Sequence, residues 1–119
     1  MNTKRIGDWG EEAAALFLTA RRYVIKARKF RCPMGEIDLI AERDGVLVFV
    51  EVKTRKTLRY GYPAAAVNLR KQKKIILTAT WYLQEHPPSE RCCRFDVLEV
   101  YAAADGSCQI RQYENAFEA

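Results

Sequence analysis

The chain has 119 residues, 49% of them apolar and 29% charged, with a net charge of +5. That length suits one domain over residues 1–119 with a single hydrophobic core. No run approaches the ~20 apolar residues of a membrane span, and "MNTKRIGDWGEE" lacks the apolar block of a secretory signal, so a cytoplasmic protein is expected.

Residues 4–21 read as a helix, with Ile6, Gly10, Ala13, Phe17 and Ala20 at helical spacing. Asn2 or Thr3 could cap it, or Asp8 with Glu11 could form a capping-box start. "YVIKARKF" follows as a strand ended by Cys32-Pro33-Met34-Gly35. Residues 36–41 and 46–53 form a hairpin around Asp44-Gly45, a strong turn signal. After the polar connection "TRKTLRYGYPAAA", a second helix runs from Asn68 to Glu85, with Ile75, Ile76, Ala79, Tyr82 and Leu83 on its apolar side and Pro87-Pro88 as its stop. "CCRFDVLEVYA" alternates as a fourth strand, and Asp105-Gly106 turns the chain into a fifth, "CQIRQY". The order α-β-β-β-α-β-β predicts an α/β or α+β domain with a mixed sheet.

Basic residues cluster in "ARKFR", "KTRKTLR" and "LRKQKK". With a pI near 9.1, this tilts the chain toward a polyanionic partner, although a solvated positive face has the same composition. Cys32, Cys92, Cys93 and Cys108 contain no C-x-x-C pair, and His86 is the single histidine. That pattern excludes a paired-ligand zinc site and a two-histidine centre, and leaves buried, reduced thiols as the expectation.

The hairpin carries the chemistry. Charges inside an apolar strand are expensive unless they are paired, bind metal or reach water. Side chains alternate, so Glu36, Asp38 and Ile40 share one face of the first strand, and Leu47, Phe49, Glu51 and Lys53 share one face of the second. A two-residue turn pairs Arg43 with Val46. It then sets Ile40 opposite Phe49, Asp38 opposite Glu51 and Glu36 opposite Lys53. Two opposed carboxylates repel unless a cation sits between them. Lys53 could serve, and a hard divalent ion would serve better. Glu-x-Lys by itself is common and also fits a plain surface salt bridge.

Asp38, the "EVK" of residues 51–53 and a preceding helix bearing Glu11 resemble the motif of the restriction-endonuclease-like, or PD-(D/E)-x-K, nucleases, and most nearly the archaeal type of Holliday junction resolvase. The fuller pattern "GDWGEEAA", "GEIDLIA", "VFVEVKTR", "RFDV" and "NAF" resembles the bacterial YraN-like family, which is uncharacterised. The resemblance implies an αβββαβ core with the site on the second and third strands. It assigns metal binding to Asp38 and Glu51, the catalytic lysine to Lys53, and the helix-borne acid to Glu11. Ile37 stands where the named motif has proline. On the helix, Glu11 lies off the stripe of Ile6, Ala13 and Phe17, beside Ala14 and Ala15, so a capping or solvated glutamate is equally open.

The expectation is therefore a Mg²⁺- or Mn²⁺-dependent nuclease acting on DNA, more than RNA, of branched or structured form. Arg55, Lys56, Arg59, Lys71 and Lys74 are candidates for phosphate contact. Symmetric cutting of a junction would favour a homodimer. The alternative is a nucleic-acid-binding module with a nuclease-like core and no turnover.

Overall fold

A computed structural model of the chain describes residues 3–55, 67–87 and 92–119. Its elements are α1 (Thr3–Ala20), β1 (Val24–Cys32), β2 (Gly35–Arg43), β3 (Val46–Arg55), α2 (Leu69–Glu85), β4 (Cys92–Ala102) and β5 (Cys108–Phe117). This is the expected order, with boundaries displaced by a residue or two, except that β5 runs to Phe117.

The strands form one sheet in the order β1-β2-β3-β4-β5. Every neighbouring pair is antiparallel except β3 and β4, which run parallel and have α2 between them in sequence. A parallel pair needs such a crossover, because no tight turn can return the chain to the same end of the sheet. One face packs Leu39, Val48, Val50, Leu98 and Val100 against Ala14, Ala15 and Leu18 of α1. The other packs Ile40, Leu47, Phe49, Phe95 and Val97 against Ile75, Ala79 and Tyr82 of α2. Phe49 lies at the centre of this second core, stacked on Phe95 at 5.5 Å and edge-on to Tyr82 at 6.0 Å.

The turn of the hairpin is as short as expected. Asp44 and Gly45 have φ of 52° and 78°, and two successive positive φ values define a type I′ turn. Arg43 pairs with Val46, and Ile40 pairs with Phe49. The ladder then stops at Leu39 and Val50. The expected backbone pairs of Asp38 with Glu51 and Glu36 with Lys53 do not form. The reason is a side chain: Oδ2 of Asp38 accepts the backbone N–H of Val52 at 2.8 Å, taking the position a strand carbonyl would occupy. Beyond that point the two strands part. The start of β2 stays with β1, down to Cys32 opposite Gly35. The end of β3 stays with β4, up to Arg55 opposite Tyr101.

A second irregularity falls at the same place. Strict alternation would group Ile37 with Leu39 and Ala41, yet Ile37 joins Ile40 on the α2 face. Opposite this break, Lys29 of β1 adopts φ 50°, left-handed backbone that is uncommon for lysine. Ala27 and Phe30, on either side of Arg28 and Lys29, both pack into the α2-side core. The sheet is thus re-phased at residue 38.

Helix α1 is turned relative to the expected stripe. Gly10, Ala14, Ala15 and Leu18 are buried, while Ile6, Ala13 and Phe17 are half-buried and Ala20 is exposed. The helix presents its smallest side chains to the sheet because it lies close to β3. A Cβ on Gly10 would overlap the Thr54 hydroxyl and come within 3.0 Å of the Thr54 Cβ. The helix begins by Thr3, so Asp8 does not cap it. Helix α2 follows its expected stripe. The Asn68 side chain accepts the Lys71 N–H at 2.9 Å, and the His86 N–H closes the far end on Tyr82.

The cysteines depart from expectation. Cys92, Cys93 and Cys108 are exposed and Cys32 is half-buried, none in a disulfide. Cys92, Cys93 and Cys108 open strands β4 and β5, at strand ends. Among the described residues, no helix is long and apolar enough to cross a membrane.

Candidate active site

Asp38 and Glu51 stand at the fork between β2 and β3. Glu51 is only 6% exposed. Burial is the largest influence on its carboxyl, followed by the charge of Asp38, and together they push its pKa up to about 7 against Lys71 and Lys53. Burial likewise raises Asp38, opposed by the Val52 N–H and by Lys71. The two acids therefore perturb one another although their backbones do not pair.

Two lysines attend Glu51. The Lys53 ammonium lies 3.8 Å from Oε1 of Glu51 on the same strand. The Lys71 ammonium reaches the same oxygen, at 3.5 Å, from the first turn of α2. Lys71 is thus brought into the carboxylate site and does not simply line an outer face. Its spacing carries a signal: Lys71, Ile75, Thr78, Ala79 and Tyr82 fall at helical spacing, and the last four are buried.

Glu11 is in line with a buried stripe too, three, four and seven residues before Ala14, Ala15 and Leu18. Burial raises its pKa, the negative charge of Asp38 raises it further, and Lys29 opposes both. The Lys29 ammonium is 3.5 Å from Glu11 and 2.8 Å from Asp8. A shallow concavity beside them is lined by Asp8, Glu11, Glu12, Arg28, Lys29 and Arg31. Lys71 therefore reaches the fork from α2, whereas Glu11, paired with Lys29 on the α1 side, bears on Asp38 through its charge. Glu36, expected opposite Lys53, is bound instead by Arg31 of β1 at 2.9 Å.

The remaining basic candidates divide. Arg55 donates through Nε to Oε2 of Glu99 at 2.7 Å, and the Tyr101 hydroxyl donates to the other oxygen. Glu99 is fully buried, so Arg55 is first of all its counter-ion. Lys74 is exposed on α2. Lys56 and Arg59 lie outside the described residues.

A second buried carboxylate escaped the reading of the sequence. Asp96 of "RFDV" is fully buried and accepts from Nε and Nη2 of Arg94, from the Gln112 amide and from the Asn115 N–H, all at 2.8–2.9 Å. Its signal is an acid inside the apolar run of β4. With four donors it is satisfied, and it holds β5 where Asn115 adopts φ 51°.

Among the described residues, no three histidine, cysteine or acidic side chains are gathered as a metal-binding group. The donor set at the fork is two carboxylates that repel each other. Two acids suit Mg²⁺, which retains water and takes substrate phosphate oxygens for its other positions.

Fold and fork together define an αβββαββ protein with a charged cluster set into a parted sheet. Within that class, a family model matches residues 10–100, and the chain belongs to the uncharacterised protein family UPF0102, in keeping with the YraN-like resemblance. A UPF0102 protein of Symbiobacterium thermophilum is 51% identical across 98% of this chain and 99% of its own. UPF0102 proteins of Caldicellulosiruptor saccharolyticus and Clostridioides difficile are each 41% identical, across 98% of this chain and 100% of theirs.

Proposed function

We propose that the protein is a divalent-metal-dependent nuclease of the restriction-endonuclease-like superfamily, hydrolysing phosphodiester bonds of branched or structured DNA. The observation that carries this reading is the pair of buried Glu51 and half-buried Asp38 at the parting of two strands, with the ammonium groups of Lys53 and Lys71 at 3.8 and 3.5 Å from one Glu51 oxygen. A mutually repelling acid pair with one member buried is a poor structural device and a good ligand for a hard cation.

Asp38 and Glu51 would hold Mg²⁺, or Mn²⁺ in its place. When bound, such an ion supplies positive charge to a phosphate oxygen and makes a water more acidic. Lys53, carried by the strand, would orient an attacking water and stabilise charge on the phosphate. Water attacks phosphorus in line, an ester bond from phosphorus to oxygen breaks, and the leaving oxygen takes a proton. Glu11 completes the acidic side of the fork. Lys74, with Lys56 and Arg59, supplies phosphate contacts along the duplex. Two copies of the chain would cut a junction symmetrically.

The test is cleavage of duplex, single-stranded, flap and four-way DNA with Mg²⁺ or Mn²⁺, beside a Glu51→Gln control. Metal-dependent cutting lost in the control supports the nuclease. A second reading has its own observation: Lys53 and Lys71 already neutralise the acid pair without metal. Salt-sensitive binding with no cleavage of any substrate would favour a binding module.

A further inference from the structure

Among the described residues, the ion pairs that reach buried acids fall into two kinds. Arg55 with Glu99 and Arg94 with Asp96 are short, hydrogen-bonded contacts of 2.7 and 2.8 Å to fully buried acids. Glu51 is almost as buried, yet its partners stand off at 3.5 and 3.8 Å and both are lysines. Planar guanidinium groups lock a carboxylate in place, whereas an ammonium on a four-carbon stem is a mobile point charge. The protein has built rigid pairs elsewhere and a loose one here.

The two lysines also differ. Lys53 is held on a strand paired through Lys53 and Glu99 to β4. Lys71 has its backbone fixed by the Asn68 cap, but its side chain is 44% exposed and projects from the start of a helix. With both acids ionised, two carboxylates and two ammonium groups balance. A divalent ion added to them leaves two positive charges in excess, and the less constrained ammonium is the one to move.

We propose that Lys71 is the exchangeable counter-ion of the acid pair. It neutralises Glu51 in the metal-free protein, leaves when a divalent cation takes its place, and then engages substrate phosphate. The idea rests on the nuclease reading and adds a regulation to it. A site holding one cation or the other makes metal and nucleic acid bind cooperatively, and that coupling is reciprocal.

The experiment titrates Mn²⁺ calorimetrically into the full-length wild type, Lys71→Met and Lys74→Met in the absence of DNA. Removing a competing ammonium should tighten Mn²⁺ binding by about tenfold in Lys71→Met. Lys74→Met, which removes an equal charge from the same helix, should change it less than about twofold. Binding of a short duplex oligonucleotide is then followed by anisotropy, with its integrity checked on a gel. Mn²⁺ should strengthen wild-type binding, and Lys71→Met should lose most of that gain. Unchanged or weaker Mn²⁺ affinity in Lys71→Met, equal tightening in Lys74→Met, or no Mn²⁺ effect on wild-type duplex binding each overturns the exchange while leaving a metal site in place. A wild type that binds no Mn²⁺ overturns the nuclease reading and the exchange together.

Discussion

Glu11 and Lys71 belong to helices packed on opposite faces of the sheet, and each is linked to Asp38 by charge. Both act electrostatically on the same acid, one as an added negative charge and one as a compensating positive charge. The fork is therefore assembled by two helices and two strands, and disturbing any one of them should register there.

Metal-free stability should fall as pH rises. The Glu51 carboxyl has an ordinary value near 4.5 in the unfolded chain and about 7 in the folded protein. Between these values the folded state holds a proton that the unfolded state has lost, so raising pH favours unfolding. The loss should be on the order of 2 kcal/mol between pH 4.5 and 7 and level off above. Asp38 and Glu11 are shifted in the same direction and add to it. Denaturant titrations in chelator at pH 5 and 7.5 measure the effect, and Glu51→Gln should reduce it sharply. A wild type more stable at pH 7.5 than at pH 5 would contradict the placement of these acids.

Asp38 has two tasks that substitution can separate. As an acceptor it holds the Val52 N–H, and as a charge it repels Glu51. Asp38→Asn keeps an acceptor and removes the repulsion, so metal-free stability should hold or rise while the proposed cleavage is lost. Asp38→Ala leaves the Val52 N–H unmet and should cost about 1–3 kcal/mol. Mg²⁺ should raise the melting temperature of the wild type and of neither variant. A melt in which Asn is as damaging as Ala, with no Mg²⁺ effect on the wild type, would sink the metal site.

Gly10 sets the height of α1 over β3. Gly10→Ala should be destabilising, by about 1–3 kcal/mol, because its Cβ collides with Thr54. Thr54→Ala removes the overlapping hydroxyl and leaves only the Cβ contact, so the double variant should be more stable than the two single effects predict. A double-mutant cycle from chemical denaturation reads this directly. Strict additivity would mean that the helix does not rest on Thr54.

Salt dependence should distinguish the basic residues. If Lys74 meets a phosphate, Lys74→Ala should lower the slope of log affinity against log salt by about 0.9 for duplex DNA. Arg55→Met should instead be costly in stability, by about 3 kcal/mol, since it strands the buried carboxylate of Glu99. Duplex binding over a range of KCl, paired with thermal melts, gives both numbers. An unchanged slope for Lys74→Ala would make that lysine a solvated surface charge.

Much of the fold was legible because its signals are local. The Asp44-Gly45 turn, the period-two hairpin and the capped second helix lie within short windows, and from them the facing of Ile40 and Phe49 follows. The fork was not legible. Whether a ladder continues past Leu39 depends on where one aspartate side chain turns, and alternation carries no mark of that. The parallel pairing of β3 with β4 joins residues far apart in sequence, so the union of Arg55 with Glu99 has no short-range trace. Lys71 did have a signal, four residues before Ile75, but the run "LRKQKK" masks it with neighbours of the same charge. The turn of α1 misleads for a different reason: Phe17 carries the stronger apolar signal, yet the sheet selects Gly10 and the alanines for their size.

The break at Lys29 has a consequence for assembly. β1 is an outer strand, and a flat outer strand invites another chain to hydrogen-bond along it. Here a register shift between Ile25 and Ala27 and the left-handed backbone of Lys29 distort the strand, and Lys26, Arg28, Lys29 and Arg31 charge it. The opposite margin, β5, is distorted in the same way at Asn115. Both borders are distorted, which disfavours joining the sheets of two copies edge to edge. Amide hydrogen exchange along β1 and β5 should accordingly be independent of protein concentration, and added protection confined to either strand at high concentration would show that the sheets do join.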